Sequence, residues 1–210
     1  MLSIEQAKEF VEKAKEYSRK LGTPEEILVS YHNHVYGVAE MSKLLATKMG
    51  LENPERVYVL ALLHDIGKVA EREKEVFHGV LGYRFLKDKD EEAGDICLTH
   101  MFPLNKIEGY DKMDKYFFYK KDDYDLVREK LDNSVVSDVD RIIQFSDFVS
   151  SGKGYVSIEQ KVEELNKGRG MPEFALNNLK ENKRYLEEKI GVNLYELFDE
   201  VNMSFFYEKR

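Results

Sequence analysis

His64 and Asp65 stand together at the end of the most apolar part of the sequence. The string VYVLALLHDIGK runs an almost wholly apolar segment into this pair, so both side chains are expected to be buried. A buried carboxylate is costly unless it is paired or coordinated, and an imidazole next to a carboxylate is a metal-binding unit. The alternative is a structural ion pair between Asp65 and a Lys or Arg. Gly67 can end the helix, and Lys68 then projects beside the pair.

His34, His78, His100 and Asp147 also fall on apolar faces of helical patterns. His100 and Asp147 each continue an apolar stripe at helical spacing, and His34 lies at the edge of one. His78 begins a helical stretch whose Gly82, one turn on, permits close approach of another backbone. Each residue alone has a structural explanation, as a satisfied core group or a solvated one. A metal site shared by all these residues explains them together more economically.

The elements that must position these residues are predicted to be helices along the whole chain. The pairs Ser3–Gln6, Thr23–Glu26 and Ser157–Gln160 are spaced as capping boxes, and Pro24 and Pro54 suit the first helical position. The pattern predicts helices near 3–21, 24–49, 54–66, 74–87, 91–101, 122–131, 137–150, 158–167, 173–190 and 194–208. No alternating strand pattern competes, and the stretches 151–154 and 168–170 are interpreted as helix connections. The fold class is therefore predicted to be all-α.

Composition narrows the classes of function. A chain of 210 residues suits one domain, here 1–210, and a net charge of -8 argues against a protein that grips a nucleic acid polymer. A small anionic ligand remains compatible with that charge. The first residues lack the features of a signal peptide, the apolar run from Val57 to Leu63 is too short to cross a membrane, and Cys97, the only cysteine, cannot form an intramolecular disulfide. We therefore expect a cytoplasmic protein that does not contact membranes.

A long irregular stretch, roughly 102–121, is rich in aromatic residues. Loops of this length are often functional, so a lid over a site is one interpretation. The alternative is that the aromatic rings pack against neighbouring helices. The residues concerned are Tyr110, Tyr116, Phe117, Phe118 and Tyr119.

The order of the candidate residues resembles the H…HD…D signature of the HD-domain superfamily. His34 lies in NHVYGVAEMSKLLA, His64 and Asp65 in HDIGK, and Asp147 in IIQFSDFVS. The resemblance covers about 31–151 and implies an HD-domain-like helical bundle, with additional C-terminal helices over 152–210. It also implies that these four residues bind a divalent metal, which activates water against a phosphoester or phosphoanhydride. Asp65 and Lys68 are the expected catalytic groups, and Lys68 would hold a phosphate oxygen. The alternative for Lys68 is an exposed lysine at a helix end.

His78 and His100 extend the resemblance to binuclear branches of the superfamily, in which Asp65 would bridge two metals. The expected cofactor is one or two divalent ions among Mn, Fe, Co, Ni and Zn, with Mg disfavoured because it prefers oxygen donors and retained water. The strings FHGVLGYRFL and DICLTHMF resemble the branch that splits diadenosine tetraphosphate, but the insertion and the C-terminal extension depart from that compact family. The string IEGYDK lacks the proline of the GYP motif, which disfavours the cyclic-dinucleotide phosphodiesterase branch.

The expected partner is therefore a small phosphorylated substrate, in the first place a nucleotide. Two other functions remain open on this fold: a di-iron oxygenase, and a non-catalytic module that binds a nucleotide and regulates a partner. The presence of all the signature residues argues against the regulatory module. The sequence determines neither the substrate nor the physiological metal, and a homodimer is compatible with it.

Overall fold

The computed structural model describes residues 1–110, 118–168 and 170–201, and at Arg72 it describes only the backbone. Helices follow one another through these residues. The α-helices are α1 (Ile4–Lys20), α2 (Glu25–Lys48), α3 (Pro54–Leu63), α4 (Glu71–Lys74), α5 (His78–Leu86), α6 (Glu91–Thr99), α7 (Lys121–Asp132), α8 (Asp138–Val149), α9 (Ile158–Asn166) and α10 (Glu173–Ile190). Short 3₁₀ helices span Ile66–Ala70, Pro103–Asn105 and Leu194–Glu200. The prediction of an all-α protein is confirmed.

One small hairpin adds two short strands that the sequence pattern did not predict. Strand β1 (Ser150–Ser151) pairs antiparallel with β2 (Gly154–Tyr155) directly after α8. Gly154 adopts φ 136°, a conformation that favours glycine. The Tyr155 hydroxyl donates a hydrogen bond of 2.8 Å to the carbonyl oxygen of Gly37 on α2. Strands of two residues are too short to produce an alternating pattern, so the sequence carried no signal for them.

Three predicted helices have different bounds in the structure. The helix expected over 54–66 ends at Leu63, and the chain continues as a 3₁₀ helix from Ile66. The helix expected over 74–87 is divided, because Glu75 adopts a left-handed φ of 47° that ends α4 before α5 begins at His78. Of the helix expected over 194–208, the part up to Glu200 is a 3₁₀ helix, and 202–210 lie outside the described residues.

Side-chain caps account for several helix starts. Ser3 and Ser157 form the predicted capping boxes, and Ser137 forms a third box with Asp140. The capping box expected at Thr23 is wrong, because Pro24 is the residue that precedes α2 and makes no side-chain cap. The hydroxyl of Thr23 is instead 2.7 Å from the hydroxyl of Ser18.

The helices that carry the candidate residues pack directly on one another. Helix α2 lies against α3 and α8, and α5 lies against α6 and the 3₁₀ helix Ile66–Ala70. A large apolar cluster joins α1, α2, α3, α8 and α10, and a smaller one surrounds Phe77 and Phe102. Among the described residues no helix combines the length and the apolar character needed to cross a membrane. The packing brings residues distant in sequence to one place, between α2, α3, α5, α6 and α8.

Candidate metal centre

His64 and Asp65 lie where the buried helix α3 ends. His64 is fully buried and Asp65 is 3% exposed, as the apolar run before them predicts. Nδ1 of His64 lies 2.6 Å from the carbonyl oxygen of Ala61. Because a carbonyl oxygen only accepts hydrogen bonds, Nδ1 carries a hydrogen, and Nε2 faces the two carboxylates, where it can bind a metal once it is deprotonated.

The histidines of α5 and α6 have the same arrangement. Nδ1 of His100 lies 3.0 Å from the carbonyl oxygen of Cys97, and Nδ1 of His78 lies 3.0 Å from Oε1 of Glu71. An acceptor on Nδ1 fixes the ring orientation and leaves Nε2 as the donor to a metal, which is the usual outer hydrogen bond of a metal-binding histidine. Three histidines on separate elements are therefore oriented for coordination in the same way.

His34 on α2 and Asp147 on α8 complete a first group of donor atoms with His64. Nε2 of His34 lies 3.1 Å and Nε2 of His64 lies 3.4 Å from Oδ1 of Asp147. The same two nitrogen atoms lie 3.6 and 3.8 Å from Oδ2 of Asp65. Donor atoms of His34, His64 and Asp147 all lie within 4.8 Å of one another, which is close enough to surround one ion.

His78 and His100 face the other oxygen of Asp65. Oδ1 lies 3.2 Å from Nε2 of His78 and 3.5 Å from Nε2 of His100, and these two nitrogen atoms are 3.4 Å apart. Asp65 thus stands between two pairs of histidines, one pair at each carboxylate oxygen. A carboxylate in this position has the geometry needed to bridge two cations.

Two buried atoms at the centre fit a bound metal. Nε2 of His64 and Oδ1 of Asp65 are buried, and neither makes a hydrogen bond within the part of the chain that the structure describes. A buried polar atom without a partner is costly, and both atoms are ligand types for divalent transition metals. The donor set of nitrogen and carboxylate oxygen therefore fits a divalent cation.

Charges at the centre keep the two carboxylates ionised. Burial alone would raise the pKa of Asp65, but Lys68, His64 and His78 hold that pKa well below its ordinary value. Burial opposes ionisation of Asp147 too, yet His34 and His64 hold the pKa of Asp147 well below its ordinary value. A nearby cation would favour the same charge state, so the centre presents two carboxylates ready for coordination.

Two glycines allow the elements around Asp65 to approach closely. A Cβ atom on Gly67 would lie 2.1 Å from the carbonyl oxygen of His78 and 2.7 Å from the backbone nitrogen of Gly82. A Cβ atom on Gly82 would lie 2.7 Å from Sγ of Cys97. A close approach at Gly82 is present, but the atoms that its own Cβ would meet belong to side chains; the close approach to backbone atoms, including the nitrogen of Gly82, depends on Gly67. The HDIGK segment is thereby held against the start of α5, which carries His78.

A cavity of about 170 Å³ opens onto the centre. Its lining includes His34, Asp65, His100 and Asp147, together with Lys68 and Lys161. Nζ of Lys68 is 3.6 Å from Oδ2 of Asp65, and the lysine side chain is 49% exposed. The cavity places one ammonium group beside the carboxylate that separates the two histidine pairs.

Sequence reasoning missed Glu71, Gln144 and Lys161, which lie near the centre. Gln144 precedes Asp147 by three residues on α8, so it shares that face, and this spacing was the signal available. The Gln144 side chain accepts hydrogen bonds from the Leu104 backbone and from Asn182 of α10, each 3.0 Å long. No local pattern marks Glu71 or Lys161, because their places at the centre depend on how the helices pack.

The aromatic stretch is described only in part. Tyr110 is buried, lines the cavity, and donates a hydrogen bond of 3.0 Å to the carbonyl oxygen of Met101. Phe118 packs against Phe77 and Phe102 in the smaller apolar cluster. Tyr116 and Phe117 lie outside the described residues. The packing interpretation fits the described rings, and closure of a lid stays a prediction.

His32 takes no part in the centre. Its Nδ1 lies 3.3 Å from Nζ of Lys15 and 3.5 Å from Oε1 of Glu12, at the contact between α1 and α2. Its ring stacks near Tyr36, with the ring centres 4.3 Å apart. The two-residue spacing from His34 therefore separates the two histidines, as expected for a helix.

Comparison with known families finds one whose description fits this geometry. The family model described as HD domain matches residues 31–151, which is more than half of the chain and contains all six residues of the centre. No solved structure matches the chain.

Proposed function

This chain belongs to the HD domain family, and from that premise we propose that it is a hydrolase that cleaves a phosphoester or phosphoanhydride of a small phosphorylated compound. The family is one of metal-dependent phosphohydrolases, and the His and Asp groups of this chain are consistent with metal binding. The observation that carries the proposal is Asp65, which stands between two histidine pairs with both of its oxygen atoms facing Nε2 donors.

The proposed metal ligands are the residues that converge around this carboxylate. His34, His64 and Asp147 would hold one divalent ion, and His78 and His100 would hold a second, with Asp65 shared between them. Nitrogen and carboxylate donors in this mixture suit Mn, Fe, Co, Ni or Zn better than Mg. The number of ions and their identity are part of the proposal.

A divalent cation bound there would lower the pKa of water from 15.7 towards about 7 and would polarise a phosphoryl oxygen. The residues of the chain supply orientation and charge. Asp65 would fix the donor groups of both histidine pairs in one geometry, and Lys68, 3.6 Å from Asp65, would hold a phosphate oxygen by its positive charge. His64, His78 and His100 are buried, so the proposed metal would have few contacts with bulk solvent on their side.

The size of the cavity favours a substrate of which only the phosphate end is enclosed. Sites that bury a whole drug-sized ligand usually measure roughly 300–1,000 Å³, whereas this cavity measures about 170 Å³. A nucleotide remains the substrate that we propose, with its base and sugar outside the enclosed part of the cavity.

The proposal is tested by assaying phosphate release from nucleotides and generic phosphoesters, using protein stripped of metal and then loaded with Mn, Fe, Co, Ni, Zn or Mg. We expect activity with at least one transition metal. Asp65→Ala should abolish both activity and metal binding, whereas Asp88→Ala, at an exposed position, should change neither.

Near-normal turnover by Asp65→Ala would contradict the proposed site. Oxygen consumption by the iron-loaded protein without any phosphate release would favour the di-iron oxygenase instead. Binding of nucleotides with neither reaction would favour the regulatory module.

A further inference from the structure

Lys161 is a partly buried lysine in the lining of the metal cavity. It lies on α9, in the part of the chain that follows the 31–151 match to the family. Within residues 1–110, 118–168 and 170–201, no carboxylate lies within ion-pair distance of its ammonium group, and its side chain makes no hydrogen bond. Lys167, which directly follows α9, is exposed, and its Nζ lies 3.6 Å from Oε1 of Glu163.

The lack of a partner is informative in an acidic protein. The chain has 40 Asp and Glu residues against 32 Lys and Arg, so carboxylates are abundant. Drawing an ammonium group partly out of water is unfavourable unless a negative charge compensates it. Because Lys161 shares its cavity with Lys68, an anion that enters the cavity from solution can supply this charge.

We propose that Lys161 binds a second phosphate group of the substrate, so that the substrate carries at least two linked phosphates. This inference rests on the proposed function. Lys68 would hold one phosphate through its position beside Asp65. Lys161 is a further positive charge in the lining of the same cavity, and a second phosphate linked to the first is the group that matches it.

The position of Lys161 is supported by the packing of α9. This helix contacts α8, which carries Asp147 and Gln144 of the same cavity. The Ser157 capping box fixes the start of α9, and Ile158, fully buried, anchors its first turn. Lys161 lies one turn further on. The C-terminal helices would thereby add selectivity for a diphosphate group to a metal centre built by the preceding part of the chain.

The test compares two phosphonates on the manganese-loaded protein by titration calorimetry. Methylenediphosphonate is a stable analogue of two linked phosphates, and methylphosphonate represents one. A charge-assisted hydrogen bond contributes about 1.5–3 kcal/mol, so Lys161→Ala should weaken methylenediphosphonate binding roughly 10- to 100-fold. Its effect on methylphosphonate should stay below about 2-fold. The matched variant Lys167→Ala should leave both affinities unchanged.

Equal weakening of both phosphonates, or no weakening of either, would overturn the inference. Lys161→Arg is a second variant that keeps the charge, and it should retain the preference for methylenediphosphonate. Loss of that preference in Lys161→Arg would count against a role through charge. The readout is binding, so the two proposals can fail separately. A protein that shows the Lys161-dependent preference but releases no phosphate would support the Lys161 site and contradict the proposed hydrolase function.

Discussion

At the residue scale, the decisive feature is that three of the four histidine rings at the centre are each oriented by an acceptor on Nδ1. Backbone carbonyls orient His64 and His100, and a carboxylate, Glu71, orients His78. A charged acceptor raises the basicity of the ring that it orients, and such outer partners affect metal affinity about 10- to 100-fold. Glu71 is therefore a positioning residue for the second proposed metal.

Glu71→Ala should weaken binding of one of two metals, because His78 loses the acceptor 3.0 Å from its Nδ1. We expect affinity for that ion to fall about 10- to 100-fold, with the other ion unaffected. Metal titration followed by elemental analysis measures both sites. Glu71→Gln keeps an oxygen acceptor for Nδ1 of His78, so the affinity for that ion should fall less than in Glu71→Ala. Glu52→Ala, at an exposed turn, is the control. Equal loss of both ions in Glu71→Ala would contradict the role of Glu71 as a positioning residue for the second metal.

At the element scale, the HDIGK segment can contact α5 only because Gly67 has no side chain. Gly67→Ala would place a Cβ atom 2.1 Å from the carbonyl oxygen of His78. Backbone atoms cannot move aside as a flexible side chain can, so the elements must separate. We expect a loss of about 1–3 kcal/mol in the free energy of unfolding, with weaker binding of metal at His78.

Denaturant unfolding and metal titration measure these two effects of Gly67→Ala. Gly168→Ala is the matched control, since the nearest atom to its Cβ would be 3.9 Å away. A Gly67→Ala protein with wild-type stability and metal content would show that the close approach has no role.

Asp90 joins three helices that frame the centre. It caps α6, accepts a hydrogen bond from the Leu2 backbone before α1, and forms a two-pronged ion pair of 2.6 and 2.7 Å with Arg56 of α3. Burial alone would raise the pKa of Asp90, but hydrogen bonds from Arg56 and from the Leu2 and Ala93 backbones lower this pKa to about 2.

Asp90→Asn keeps a capping side chain but removes the charge that pairs with Arg56. We expect a loss of about 2–3 kcal/mol in the free energy of unfolding near neutral pH. The pKa of Asp90 in the folded protein, about 2, lies below the ordinary value of 3.8. The stabilising contribution of its charge is therefore complete above pH 3.8. It is lost as the pH falls through the lower of these two values.

The gap in stability between wild type and Asp90→Asn should therefore shrink as the pH falls below about 4. Urea unfolding of both proteins across this range measures it. Asp132→Asn is the control, because Asp132 and Arg128 are both exposed and their pair is expected to contribute under about 1 kcal/mol. A gap that does not change between neutral and acidic pH would contradict the role of the Asp90 charge.

At the scale of the whole molecule, the proposed metals would link segments that are far apart in sequence. The candidate ligands lie on or beside α2, α3, α5, α6 and α8. Ions bound by these residues would therefore link these five helices to one another. The buried network of Gln144 and Asn182 extends this connection to α10. Treating 1–210 as one domain is consistent with these contacts and remains a prediction.

Removing the metals should lower the melting temperature. An ion present at about 100 times its dissociation constant stabilises the folded state by about 2.7 kcal/mol. For a chain of this size, this corresponds to a shift of roughly 5–10 °C. Melting curves recorded after chelation and after reloading with Mn or Zn measure the effect. Asp65→Ala should show no response to metal, and a wild-type melting temperature that does not respond would contradict a metal site between the helices.

The sequence by itself determined the all-α class and the order of the chemical groups. Capping at Ser3 and Ser157 and the periodicity of apolar residues act within one or two turns, so both can be predicted locally. The apolar run before His64 likewise predicted its burial. The six candidate residues converge in the structure, but convergence does not test whether they bind a metal, so their roles as ligands stay predictions.

Only the tertiary structure decided which atoms meet. That one oxygen of Asp65 faces His34 and His64 and the other faces His78 and His100 depends on how five helices pack. The contact of Glu71 with His78 and the presence of Lys161 in the cavity depend on the same packing. No local preference encodes this arrangement as a whole, because the free energy that selects it comes from burial of the whole core.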